Sequence, residues 1–252
     1  MIYLKTKDEI KIMQKAGHIT AVAMNKVRKN IRPGARLIEL NKIAEEEIKS
    51  LGAESSFKKV KGYKYSICTT PNDWVVHGIP GTYSLTEGDI VGVDLGAYYG
   101  GFHSDMAHTF PVGKVSSRVK KFIETGERAL NEAIKKVKVG NRIGDISSTI
   151  QKIVEGAGYS VVRELVGHGV GRQLHEDPLV PGRGAKGTGA SVKEGMVLAI
   201  EVIYNQGSHE VVLLDDDWSI STRDRSLSGL FERTVAPTKK EPLVLTPQAA
   251  GW

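Results

Sequence analysis

Asp94 and Asp105 lie in GDIVGVDLGAYYGGFHSDMAHTF, a stretch whose alternation of apolar and small residues predicts two strands joined by a turn between Tyr99 and Gly100. In a hairpin centred there the two aspartates oppose each other on one face. Directly opposed side chains lie about 4.5–5.5 Å apart at Cβ, and like charges at that distance are destabilising. A cation between them removes the cost, since carboxylate oxygens suit hard and borderline divalent metals. The alternative is two acids on a solvated ribbon in another register.

Further acids and histidines sit where they are costly. Glu201 interrupts Met196–Tyr204, an otherwise near-continuous apolar strand. A carboxylate in such a run must be paired, protonated or bound to metal, unless the strand is an edge and the acid is in water. Glu232, in Leu230-Phe-Glu-Arg-Thr-Val235, is a weaker case of the same kind, for which a simple pair with a neighbour such as Arg233 is the alternative. His168 and His175 fall in Gly167-His-Gly-Val-Gly-Arg-Gln-Leu-His-Glu-Asp-Pro178, read as a glycine-rich turn whose glycines let backbone approach a ligand. His77 closes an apolar stretch before the turn Gly78-Ile79-Pro80. Imidazole is both a metal ligand and a proton carrier near neutral pH. One histidine and the four carboxylates Asp94, Asp105, Glu201 and Glu232 suffice for a two-metal site of the kind that activates water for hydrolysis, with metals about 3.5–4 Å apart. The remaining histidines could then contact a substrate carbonyl or move protons.

The elements that must position these groups follow from periodicity. Thr6 and Glu9 have capping-box spacing, and apolar residues at helical intervals extend a helix over residues 7–30. A second helix over 36–51 stops at Gly52. A strand near 65–69 and the aspartate hairpin follow, then helices over 116–137 and 143–155 and strands near 160–166, 196–203, 210–214, 218–222 and 230–235. Two helices followed by strands, twice over, predict an α+β fold of two similar halves, about 1–113 and 114–236, around one antiparallel sheet. Residues 1–252 read as a single domain with an irregular tail over 237–252.

Composition narrows the functional classes. The single cysteine, Cys68, excludes an intramolecular disulfide and cysteine-rich zinc sites. The first residues lack a basic segment followed by an apolar one, and no apolar run reaches the roughly 20 residues needed to span a bilayer. A cytoplasmic protein without membrane partners is expected. The net charge of +6 is spread over scattered lysines, which gives no specific DNA-binding surface and is compatible with work near ribosomes. Nothing resembles a coiled coil, so a monomer is expected.

Six ordered motifs carry a resemblance over nearly the whole chain. They are HGIP at 77–80, GDIVGVDLG at 88–96, GGFHSDMAHTF at 100–110, GHGVGRQLHEDP at 167–178, EGMVLAIE at 194–201, and DRSLS at 224–228 leading to FERT at 231–234. With them the chain resembles the type I methionine aminopeptidases. That resemblance implies the pita-bread (creatinase/aminopeptidase-like) fold, with pseudo-two-fold halves and a curved central antiparallel sheet covered by helices. It implies two divalent metal ions, of Co, Mn, Fe or Zn, held by Asp94, Asp105, His168, Glu201 and Glu232. Asp94 would hold one metal, His168 and Glu201 the other, and Asp105 and Glu232 would bridge. His77 and His175 would contact the substrate and Glu201 would accept the proton of the attacking, bridging water. Tyr63, Cys68, Leu174 and Trp218 would line the pocket for the terminal side chain. The substrates implied are N-termini of newly made polypeptides with a small second residue. A proline-directed aminopeptidase or a non-catalytic binding protein of the same fold are the alternatives. Four positions depart from the family pattern: Leu174, Val202, Leu230 and Arg233. They bear on substrate preference.

Overall fold

The computed structural model describes residues 1–248. Helix α1 (Lys7–Arg28) starts where expected: Thr6 Oγ1 accepts the Glu9 amide and the Glu9 carboxylate accepts the Thr6 amide. Helix α2 (Leu37–Ser50) follows, then β1 (Glu54–Ser55), a short 3₁₀ turn at Phe57–Lys59, β2 (Ile67–Pro71) and β3 (Trp74–Val76). The aspartate ribbon comprises β4 (Ile90–Leu95), β5 (Ala97–Tyr99), β6 (Phe102–His103) and β7 (Met106–Pro111). Helices α3 (Ser117–Ile134) and α4 (Ile143–Gly156) open the second half. After them come β8 (Ser160–Val161), β9 (Val166–Gly169), β10 (Glu176–Pro181), β11 (Leu198–Asn205), β12 (Val211–Leu213), β13 (Ile220–Thr222) and β14 (Ser228–Ala236). The segment after Pro237 is not wholly irregular: β15 (Leu243–Val244) pairs with β14, and Leu245 and Thr246 are buried. The last four residues of the expected tail, 249–252, lie outside the described residues.

The expected single sheet is instead divided. β2-β4-β7 form one ladder and β10-β9-β11-β14-β15 another, and all of these pairings are antiparallel. The two ladders meet at β7 and β14, which two threonines stitch together. Thr109 Oγ1 accepts from Leu230 N at 2.9 Å and donates to Leu230 O at 3.0 Å. Reciprocally, Thr234 Oγ1 accepts from Asp105 N at 2.9 Å and donates to Asp105 O at 2.7 Å. A hydroxyl carries both a donor and acceptor sites, so one side chain satisfies both backbone groups of the facing residue. The buried Arg233 adds a bond to Ala107 O at 3.1 Å across the same seam.

Alternation along the strands separates two faces. In the second half Leu198, Ile200, Val202 and Tyr204 of β11 and Phe231 and Val235 of β14 join the core built with α3 and α4. In the first half Val91, Val93 and Leu95 of β4 and Met106 and Phe110 of β7 pack with α1 and α2. Asp94, Glu201 and Glu232 take the intervening positions, on the opposite face. The apolar run around Glu201 therefore marks a strand covered on both sides. β11 is no edge: β9 lies on one flank and β14 on the other.

Candidate active site

The ribbon register differs from expectation by two residues. Asp94 is opposite Ala107 and Leu95 opposite Met106, while Tyr98 pairs with His103 at the tip. The turn is therefore centred on Gly100-Gly101, both with positive φ. Asp105 is a diagonal neighbour of Asp94 rather than its direct partner. A shift of two residues keeps both side chains on one face, which is why they still converge.

The second half supplies the rest. Glu201 and Glu232 are directly opposed in the β11–β14 ladder. His168 lies within β9, opposite Ala199, and not in a turn. The glycines that flank it make room for neighbouring strands rather than for a ligand: a Cβ at Gly167 would lie 2.4 Å from Ala199 O, and one at Gly169 2.3 Å from Asp177 O. His168 Nε2 is 3.3 Å from Glu201 Oε1 and 3.9 Å from Asp105 Oδ2, while its Nδ1 is 2.9 Å from Gly169 O. That carbonyl contact assigns the proton to Nδ1 and leaves Nε2 as a ligand lone pair.

This donor set fits a metal. Ligand atoms of Asp105, His168 and Glu232 lie within 4.8 Å of one another. Asp94 Oδ1 and Glu232 Oε1 are buried without a hydrogen-bond partner, an arrangement that native proteins avoid unless something else satisfies the oxygen. Burial pushes the Asp94, Asp105, Glu201 and Glu232 carboxyls above the usual carboxylate range, and their mutual repulsion adds to it for all but Asp94. Burial also lowers the His168 imidazole to about 3, with His175 contributing. The metal-free site is thus a proton-loaded acid cluster beside a neutral imidazole, and a divalent cation would displace protons from it.

A stability prediction follows. Carboxyls whose native pKa exceeds the unfolded value bind more protons folded than unfolded, so stability falls as pH rises. The buried histidines act the other way, but only below their ordinary value of about 6.5. Between pH 6.5 and 8 the carboxyls therefore dominate. The melting temperature of chelator-treated protein should fall over that interval, and that of metal-loaded protein should hold. Parallel scans at pH 6.5, 7.2 and 8.0 check this; equal slopes with and without metal would contradict it.

All eleven residues singled out from the sequence line one cavity of about 120 Å³: His77, Asp94, Asp105, His168, His175, Glu201, Glu232, Tyr63, Cys68, Leu174 and Trp218. Phe57, Val60 and Val76 complete its wall. These three were missed because Phe57 and Val60 belong to a 3₁₀ turn and its end, which has no readable period, and Val76 reads as ordinary core. Phe57, Tyr63, Cys68 and Leu174 form an apolar cluster with Trp218 packed on it. Tyr63 is fixed by its bond to Ile67 O at 2.9 Å and by the Trp218 ring at 5.0 Å. Burial, then the nearby Asp94 charge, raises the Cys68 thiol, which behaves as an apolar wall group.

Two histidines, one from each half of the chain, also line the cavity. The His175 ring is 4.4 Å from that of His168. His77 has φ of +57°, a left-handed conformation uncommon outside glycine and entered mainly by asparagine, aspartate and histidine. Burial lowers both His77 and His175, so both are neutral at pH 7. Of the four departures from the family pattern, Leu174 reaches the cavity. Val202 joins the helix-side core, Leu230 packs with Val75, Val76 and Ala107, and Arg233 bonds across the seam.

The chain matches the family model described as metallopeptidase family M24 over residues 11–223. It is 47% identical over 246 residues to a methionine aminopeptidase of Clostridium perfringens, an alignment covering 98% of this chain and 99% of that one. The chain belongs to metallopeptidase family M24. Within that family it groups with the methionine aminopeptidases. It is 45% identical over 246 residues to methionine aminopeptidase 1 of Bacillus subtilis, with 98% and 99% of the two chains covered. Its fold superposes on the crystal structure of a methionine aminopeptidase from Thermotoga maritima with a TM-score of 0.96 at 43% identity, covering 98% of this chain and all of that one. A prolidase from Pyrococcus furiosus shares the fold at a TM-score of 0.78 and 26% identity, but this chain covers only 66% of it. The pita-bread architecture of metallopeptidase family M24 is therefore the frame in which the ribbon and β11–β14 bring their acids together.

Proposed function

We propose that this protein removes the N-terminal methionine from polypeptides whose second residue is small, with newly made chains as its substrates and the cytoplasm as its place of work. The observation that carries the reading is one cavity with two ends. One end is apolar, walled by Phe57, Tyr63, Cys68, Leu174 and Trp218, and the other is the acid cluster with its unsatisfied oxygens. Such a cavity takes an unbranched apolar side chain at one end and cations at the other.

Asp94, Asp105, His168, Glu201 and Glu232 would hold two divalent cations. When bound, such ions lower the pKa of water and polarise a peptide carbonyl. The chain's own groups supply the rest. Leu174, Tyr63 and Trp218 grip the methionine side chain and place the first peptide bond over the carboxylates. His77 and His175, neutral at working pH, donate hydrogen bonds to the carbonyl oxygen as charge develops on it. Glu201 holds the proton taken from the attacking water and returns it to the leaving amine.

Initial rates on Met-Gly-Met-Met, on the same peptide beginning with Leu, Ala or Gly, and on a Gly-Pro peptide test the specificity. Methionine release is expected to exceed the others by about 100-fold, in the range that pocket fit to a side chain supplies. Leu174→Ala should lower kcat/KM for the methionine peptide by about tenfold and leave bound metal unchanged. Equal release of leucine by the native protein would contradict the reading, and preferential cleavage before proline would favour the prolidase-like alternative.

A further inference from the structure

The turn that carries Leu174 and His175 is held from beneath by a residue at the far end of the sequence. Lys5 Nζ lies 2.6 Å from Glu176 Oε2, and both side chains are at most 5% exposed. Glu176 follows His175 directly and is the first residue of β10. Its other oxygen, Oε1, accepts the Gln173 amide at 3.1 Å. One carboxylate therefore closes the turn on itself and anchors it to Lys5. Lys5 is fixed in turn. Its amide donates to Gly195 O at 2.6 Å, its ammonium also donates to Tyr3 O at 3.3 Å, and it immediately precedes the capping Thr6 of α1.

Gly171 shows how closely the turn settles on this pair. A Cβ there would lie 2.5 Å from both Glu176 Oε1 and Lys5 Cε. The turn is tied at the same point by His103 N, which donates to Gly171 O at 2.8 Å. On the rim, Arg172 Nη2 meets Glu9 Oε1 at 2.8 Å. Residues 5 and 9 thus clamp both ends of a turn from which Leu174 and His175 face the cavity.

We infer that Lys5 and Glu176 are positioning residues for His175 and Leu174. A buried ion pair is weak evidence for stability, since apolar replacements can do as well, but removing one partner leaves an uncompensated charge. Here that charge would be the carboxylate that orders the turn. The inference rests on the aminopeptidase reading for its kinetic readout, whereas its NMR readout is independent of that reading.

The test compares Lys5→Met, Glu176→Gln and the double variant, each loaded with the same metal, on Met-Gly-Met-Met. Lys5→Met should lower kcat about tenfold, change KM by less than about threefold and leave bound metal equal to that of the native protein. Glu176→Gln leaves an unpaired buried ammonium and should behave alike. The double variant should recover to within about threefold of native, because the amide oxygen still accepts the Gln173 N–H and no charge is left unpaired. A native kcat in Lys5→Met, or a double variant no better than the single, would overturn the inference. The His175 ring signal in a ¹H–¹³C spectrum gives an independent readout: it should move in Lys5→Met while the remote His209 signal stays. An unmoved His175 signal overturns the positioning role whatever the enzyme cleaves. Absence of methionine release by the native protein overturns the aminopeptidase reading instead. If Lys5→Met does not fold, Glu176→Gln against the double variant carries the same comparison.

Discussion

Asp105→Asn is expected to abolish methionine release, by about 1,000-fold or more, while making the metal-free protein more stable. The amide keeps the shape of the side chain, and its oxygen can still accept the Met106 N–H that Asp105 Oδ1 accepts at 3.1 Å. The backbone bonds of residue 105 to Thr234 are untouched. What disappears is one negative charge from a buried group of four, at a position whose ligand atom lies within 4.8 Å of those of His168 and Glu232. Loss of about 1,000-fold corresponds to roughly 4 kcal/mol of transition-state stabilisation, at 1.36 kcal/mol per tenfold. In the metal-free protein the same substitution removes one buried acid that folding must keep protonated, a cost that grows as pH rises, as sites arranged for function commonly oppose stability. A gain of about 1 kcal/mol would raise the melting temperature by roughly 2–4 °C for a chain of this size. Metal content by mass spectrometry, kinetics, and melting in chelator at pH 8 check the three parts together. A variant that still binds native amounts of metal and turns over would remove Asp105 from the ligand set.

The second large effect is expected at the two histidines that hold no metal in this scheme. His175→Gln and His77→Asn should each lower kcat by about 100- to 1,000-fold, the cost of losing one donor to a developing oxyanion. KM and bound metal should change little. Asparagine is chosen at residue 77 because it tolerates the left-handed backbone observed there, whereas alanine would add strain of its own. Since burial lowers both imidazoles, the rate should not follow a histidine titration between pH 6.5 and 8. A large rise in KM with unchanged kcat would assign these residues to ground-state binding instead.

Much of the acid cluster can be read in the sequence because its carboxylates break local rules. Glu201 is conspicuous in Met196–Tyr204, and Asp94 and Asp105 are conspicuous in a ribbon of small and apolar residues. The ribbon register was legible only to within two residues. The paired glycines at its tip allow turns centred on either side of Gly100, and the tertiary bonds of Asp105 to Thr234 decide between them. Period two protected the conclusion: a shift of one residue would have sent an aspartate into the helix-side core.

What could not be read is non-local. The seam of Thr109 and Thr234 joins residues more than a hundred positions apart, and threonine in a strand carries no sign that its hydroxyl replaces a backbone partner. The division into two ladders was invisible for that reason. Lys5 likewise looks like one surface lysine among many until Glu176 is placed beside it. The tail gave no strand signal, because β15 is two residues long and is held by Thr246 and Leu245 beyond it.

The account's central claim is that the five ligands hold metal ions on which methionine release depends. Metal-stripped protein should be titrated with Mn(II) or Co(II), with bound metal and methionine release from Met-Gly-Met-Met measured on the same samples. The account predicts no release in chelator, a rate that climbs with bound metal, and saturation when the site is filled. Undiminished release from protein shown to carry no metal would contradict it.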